Sequence, residues 1–242
     1  MFRTLQNSLF SLIYPQACRV CSAHVEDHKH GVACRECWAA TRIFDSTEML
    51  CEKCGAFFGD KAAPVAIRCH KCDDHHYDKA TALGIYEKAL AAAIVHLKTV
   101  PSLPSHLRSL IRSSKTLEAL DMIDLIMPIP LSRLRKLERG FNQAELIGTA
   151  MSRSFRIPQD QQSLGRKLHT PIHRIGMDKK ARELTVKNAF EVKRPKLIEG
   201  KNILLVDDVF TSGATASSCA KILKKHGAEK INVFTLARAV MN

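Results

Sequence analysis

Long apolar runs are missing from this 242-residue chain. Every apolar stretch is short and interrupted, so no ordinary membrane-spanning helix is expected, and no segment reads as a secretory signal. Aromatic residues are scarce at 6%, with a single tryptophan, so any platform for stacking unpaired bases must be small. The G-x-x-x-x-G-K-[ST] pattern is absent, which excludes a Walker loop. Negative charge is also short: 24 Asp and Glu stand against 37 Lys and Arg, for a net charge of +13. That excess favours nucleic acid, acidic lipid or phosphorylated ligands without choosing among them. The 45% apolar fraction suffices for a core. The length fits one ordinary domain plus a small one.

Cysteine is plentiful. Nine cysteines without an export signal argue for metal binding, not disulfides. Eight of them form four C-x-x-C pairs: Cys18/Cys21, Cys34/Cys37, Cys51/Cys54 and Cys69/Cys72. Twelve residues separate the first two pairs and fourteen the last two, so knuckle, loop, knuckle is written twice. Each turn points two thiolates at one spot, and two turns complete a tetrahedral Zn²⁺ site. The simplest pairing joins Cys18, Cys21, Cys34 and Cys37 in one zinc site, and Cys51, Cys54, Cys69 and Cys72 in another. First-with-third and second-with-fourth is the interleaved alternative. Four thiolates leave no open position, so such sites are structural. His24, His28, His30, His70, His75 and His76 are spare candidate ligands, expected mostly at the solvated surface. Cys219 stands apart as a packing residue. Residues 1–14 read as an amphipathic helix docked on the body, and the polar residues 73–78 mark a boundary between an amino-terminal unit (1–78) and a second domain (79–242).

The most informative stretch is residues 203–215. Ile203, Leu204, Leu205 and Val206 read as a strand buried on both faces, as in a parallel sheet. Asp207 and Asp208 follow, then Val209, Phe210 and the loop Thr211, Ser212, Gly213, Ala214, Thr215, with a helix expected over residues 216–225. Ligands of open α/β sheets sit beyond the carboxyl ends of the strands, where the acid pair and loop are expected to fall. A helix mouth rich in hydroxyls and glycine is an anion site. The carboxylates would repel phosphate and suit sugar hydroxyls or a hydrated cation. Together they describe a ribose 5-phosphate. The plainer alternative is a buried strand ending in an Asp pair and a hydroxyl N-cap. A receiver domain is a poor fit, because its acid pair lies near its start and too little chain follows Asp208.

Elsewhere, strands are expected over residues 82–86, 125–129, 189–192 and 231–236. Helices are expected over residues 87–98, 103–120, 178–187 and along a face marked by Phe141, Ala144, Ile147, Met151 and Phe155. Strands alternating with helices mean an α/β fold with a mainly parallel sheet. Arg133, Arg135, Lys136 and Arg139 form a basic loop leaving a strand end ahead of Asn142 and Gln143, placed to meet diphosphate or a nucleic-acid backbone. The plainer reading of this run is a solvated charge cluster.

Residues 203–215 resemble the phosphoribosyl-pyrophosphate (PRPP) motif of type I phosphoribosyltransferases, with Phe210 bulkier than the usual aliphatic residue. The full arrangement of double zinc ribbon, Pro-Ile-Pro strand end, Arg139-Gly140-Phe141-Asn142-Gln143 and PRPP motif resembles the ComF family. This implies a type I phosphoribosyltransferase-like domain behind a small double zinc ribbon. It implies a competence protein that handles incoming single-stranded DNA on the cytoplasmic side, at most peripheral to the inner membrane. A separate reading, compatible with this one, is an interaction protein whose zinc ribbons dock an uptake helicase or DNA-processing partner. The resemblance further implies that Asp207, Asp208, Val209, Thr211, Ser212, Gly213, Ala214, Thr215 and Lys98 bind PRPP, with Mg²⁺ held by Asp207 and Asp208 directly or through water. The alternative is an active transferase moving ribose 5-phosphate to a base or amine, although no catalytic residue or acceptor site is evident. One departure stands out. Between Thr170 and Phe190, His173 occupies the family's glutamine position and Thr185 falls near its asparagine.

Overall fold

A computed structural model describes residues 16–45, 47–60, 67–167 and 189–240. Its elements in chain order are α1 (Arg35–Ala39), β1 (Glu48–Leu50), β2 (Phe57–Asp60), β3 (Lys79–Ile85), α2 (Lys88–Leu97) and α3 (Ser105–Arg112). Then come β4 (Leu125–Pro128), α4 (Arg133–Arg139), α5 (Gln143–Phe155), β5 (Leu164–Arg166), β6 (Phe190–Val192), β7 (Asn202–Phe210), α6 (Ala214–Lys225) and β8 (Lys230–Arg238). The main sheet has the order β3-β8-β7-β4, all parallel, with helices on both faces. Two small antiparallel pairs, β1–β2 and β5–β6, complete the strands among the described residues.

Alternation along β7 and β8 divides the core. Leu204, Val206, Phe234 and Leu236 pack with α2, α3 and α5 on one face. Ile203, Leu205, Ile231 and Val233 pack with α6 on the other. Both amino-terminal knuckle pairs are built into this core. Cys18, Val25, Val32, Cys34 and Trp38 join the first cluster, whereas Cys51, Cys54, Cys72 and Tyr77 join the second. Close backbone contact explains the second join. Gly55 has φ +66°, and a Cβ there would lie 2.8 Å from the Ala80 carbonyl oxygen of β3, so only glycine lets the knuckle approach.

Three expectations are corrected. Residues 103–120 are not one helix: α3 stops at Arg112 and a 3₁₀ segment runs over Lys115–Met122. Ser113 Oγ donates to the Ser109 carbonyl, and Ser114 and Thr116 pair their hydroxyls at 2.8 Å, local bonds that compete with the helix. The basic stretch after β4 is a helix, not a loop, because Ser132 caps the N–H of Arg135 and Gly140 ends it in the left-handed conformation. The strand expected over residues 203–206 continues through the acid pair to Phe210, paired with β8 throughout. The helices expected over residues 1–14 and 178–187 lie outside the described residues.

Candidate functional site

Edge strand β4 ends at Pro128, opposite Val206, so from Asp207 onward β7 is paired on one side only. The Asp208 N–H is taken by the Asp207 carboxylate instead, at 2.9 Å. Both acids are therefore half-buried in the strand end, not set beyond it. Lys98, just past α2, brings its Nζ to 3.4 Å from Asp208 Oδ2, although 110 positions separate the two in sequence. Burial and the Asp208 carboxylate push Asp207 up to about 7; the Asp208 N–H, Lys98 and Arg135 pull the other way. An incoming cation or sugar hydroxyl would thus meet one carboxylate poised to lose its proton and one already salt-bridged.

Past Phe210 the chain turns into α6. Thr211 and Ser212 are exposed, and Gly213 sits at the N-cap with φ +78° and no side-chain cap bond. The Ala214 N–H makes one long bond, to Ser212 Oγ at 3.4 Å; the rest of the first turn around Thr215 and the helix dipole face outward as an anion site. Gly213 is required by space as well as by conformation. A Cβ there would lie 2.6 Å from the Phe210 ring and 2.9 Å from His75 Cε1. Val209 is half-buried and faces the apolar core, so its side chain offers a ligand no polar group.

The eight paired cysteines gather in two groups, Cys18, Cys21, Cys34, Cys37 and Cys51, Cys54, Cys69, Cys72, with the sulfurs of each group within 4.8 Å of one another. That is sequential, not interleaved. Sulfur–sulfur separations of 3.7 Å for Cys21–Cys34 and Cys51–Cys72 match the roughly 3.8 Å edge of a tetrahedron with metal–sulfur bonds of about 2.3 Å. Burial would raise Cys18 and Cys51, but backbone N–H groups aimed at their sulfurs outweigh it and hold both at about 6. Burial and neighbouring thiols push Cys37 and Cys72 up instead. The donor set fits Zn²⁺. None of the spare histidines enters either group, and Cys219 is fully buried.

The basic helix α4 borders a cavity of about 880 Å³ closed on the other side by the β5–β6 hairpin. Arg133 and Lys136 face Arg166, Lys167, Lys193 and Arg194 across it, against two carboxylates, Glu145 and Glu191. The hairpin cations carry no motif, and only the fold reveals them as a second wall. Asn142 and Gln143 are each only 2% exposed, although Asn142 reaches the cavity wall. Asn142 caps Ala144 and donates to the Ile129 carbonyl, while Gln143 accepts from Arg139 Nη1 at 2.9 Å. Their roles are to shape the turn after β4 and to hold Arg139. Arg135 acts toward Asp207.

Comparison with known proteins agrees with this architecture. Residues 9–74 match the family model "Double zinc ribbon domain", and residues 149–240 match "Phosphoribosyl transferase domain". Competence protein F of Haemophilus influenzae is 31% identical over 92% of this chain and 96% of its own length. DNA utilization protein YhgH of Escherichia coli is 28% identical over 95% of this chain and 100% of its own. Competence protein ComFC of Bacillus subtilis is 35% identical over 48% of this chain and 45% of its own. The chain belongs to the family of competence and DNA-utilization proteins that join a double zinc ribbon to a phosphoribosyl transferase domain.

Proposed function

We propose that this protein handles single-stranded DNA during its uptake or use in the cytoplasm, and that residues 207–215 hold the phosphoribosyl group of PRPP or a related 5′-phosphate. The observation that carries the ligand reading is the first turn of α6, which opens just past the acid pair and whose N-cap, Gly213, supplies no side-chain cap. Thr211, Ser212 and Thr215 would add hydroxyl donors to the 5′-phosphate, and Asp207 and Asp208 would face the ribose hydroxyls. Bound Mg²⁺ would supply positive charge to the diphosphate. The carboxylate pair suits such an ion, directly or through water.

The DNA reading is supported by the net charge of +13 and by the cleft between α4 and the β5–β6 hairpin, and it accords with the names of the relatives. Six cations on two walls suit a sugar-phosphate backbone, which a strand could follow without base-specific contacts. The double zinc ribbon is the surface we assign to an uptake helicase or DNA-processing partner. Calorimetric titration of PRPP with Mg²⁺, with and without a labelled oligonucleotide, tests both ligands. Micromolar to millimolar PRPP binding supports the pocket, and its absence rejects it. DNA affinity that stays flat between low and moderate salt rejects the cleft.

A second reading, transfer of ribose 5-phosphate to a base or amine, draws on the 3.4 Å contact of Lys98 with Asp208. A lysine there could steady departing diphosphate. Diphosphate release with a panel of bases and amines tests it; no release leaves a binding protein.

A further inference from the structure

Arg238 ends β8 opposite Phe210, the last residue of β7 and the first anchor of the 5′-phosphate loop. It is a buried cation, 8% exposed, and among the described residues it has no carboxylate partner. Its Nη1 donates to the Cys54 carbonyl, and its Nη2 lies 3.5 Å from Cys54 Sγ. The same guanidinium lies 4.6 Å from the centre of the Phe210 ring. One side chain thus touches a thiolate centre with one end and braces the loop's anchoring ring with its face.

A second strap runs alongside. Tyr77, five residues after Cys72, meets the Phe210 ring edge-on at 5.9 Å, and its hydroxyl is bonded to His75 Nδ1 at 2.5 Å. His75 Cε1 closes over Gly213, and the His76 N–H donates to Ser217 Oγ in the first turn of α6 at 3.1 Å. Every one of these contacts leads to the second Cys₄ group. The first group joins the cluster on the opposite face of the sheet.

We propose that Arg238 is a positioning residue that couples the second thiolate centre to the 5′-phosphate loop, so that filling either one strengthens the other. This rests on the phosphate reading given above. A Zn²⁺ ion held by four thiolates carries a net double negative charge, which a buried guanidinium offsets while orienting the ligand sulfur. Arginine suits the task because its planar fork reaches two acceptors while its flat face stacks on an aromatic ring; lysine is a compact point charge without that flat face. With the centre filled, Arg238 is held against Phe210, and Phe210 fixes the backbone at Gly213. Linkage makes the effect reciprocal.

The test is zinc affinity of the full-length protein, measured by chelator competition with and without saturating PRPP and Mg²⁺, beside calorimetric PRPP affinity. In the unaltered protein one of the two zincs should gain at least threefold in affinity when PRPP is bound, and the other should not respond. Arg238→Met should weaken that same zinc at least fivefold, cut PRPP affinity about tenfold and abolish the coupling. Phe210→Leu keeps the core filled and the guanidinium on Cys54. It should retain zinc affinity but lose the coupling. Equal response of both zincs, or intact coupling in either variant, would overturn the proposal. If the unaltered protein binds no PRPP, the phosphate reading fails by itself. The zinc arm still decides the brace, because unchanged zinc affinity in Arg238→Met would refute it.

Discussion

Asp207 is the residue whose environment departs furthest from what its neighbours in sequence suggest. Its carboxylate caps the N–H that strand β4 leaves unpaired, and burial beside Asp208 raises it to about 7. In the unfolded chain it ionises near pH 4. Between those values the folded state holds the extra proton, so stability falls as pH rises, with the full penalty present above pH 7. Asp207→Asn keeps the capping oxygen and removes that penalty. It should be more stable than the unaltered protein by roughly 1–3 kcal/mol at pH 8 and nearly equal at pH 4, judged from denaturant midpoints at both pH values. A gap that is the same at both pH values would show that charge is not the cause. The adjacent acids and the hydroxyl loop were legible from residue type alone. The Lys98–Asp208 contact was not, because apposition across 110 positions is a property of packing. The ComF resemblance points to Lys98 only as a PRPP-binding residue, with no partner named.

At the scale of elements, the thiolate groups and the sheet share their cores. Ala80 of β3 donates its N–H to Lys53 at 2.7 Å, inside the knuckle between Cys51 and Cys54. Replacing Cys51 and Cys54 by Ser should therefore do more than loosen an appendage. Amide exchange is expected to accelerate along β3 and the carboxyl half of β8, while α5 on the other face keeps its protection. Loss of protection confined to residues 47–72 would instead indicate an independent ribbon. The C-x-x-C spacing made the ligands legible, but spacing carries no record of which sheet face a knuckle covers. The same limit applied to the basic run after β4. Its charge was visible, yet its helical form depends on Ser132 and Gly140 acting together as caps, and its partner wall depends on a hairpin pairing Leu164 with Val192. Neutralising Lys167 and Lys193 together should reduce the salt dependence of single-stranded DNA binding by a slope of roughly 1–1.5 in log–log form, with PRPP affinity unchanged. An unaltered slope in fluorescence anisotropy would remove the hairpin from the DNA path.

Over the whole molecule, one parallel sheet carries a thiolate centre toward each face and gathers three sets of groups near its carboxyl edge. These are the acid pair with Lys98, the hydroxyl loop at α6, and the cationic cleft bordered by α4, whose Arg135 acts toward Asp207. No helix among the described residues is long and apolar enough to cross a membrane. The fold class was legible because β-α-β alternation and buried runs dictate it. The shared cores and the path from Cys54 through Arg238 to Phe210 were hidden, since 184 positions separate Cys54 from Arg238. The central claim is that residues 207–215 form a phosphoribosyl pocket. Its most direct test is calorimetric titration of PRPP with Mg²⁺ into the full-length protein and into Asp207→Asn/Asp208→Asn. Saturable one-site binding that weakens at least tenfold in the double variant, with the fold intact by circular dichroism, is the predicted result. No binding by the unaltered protein, or equal affinity in both, would contradict it.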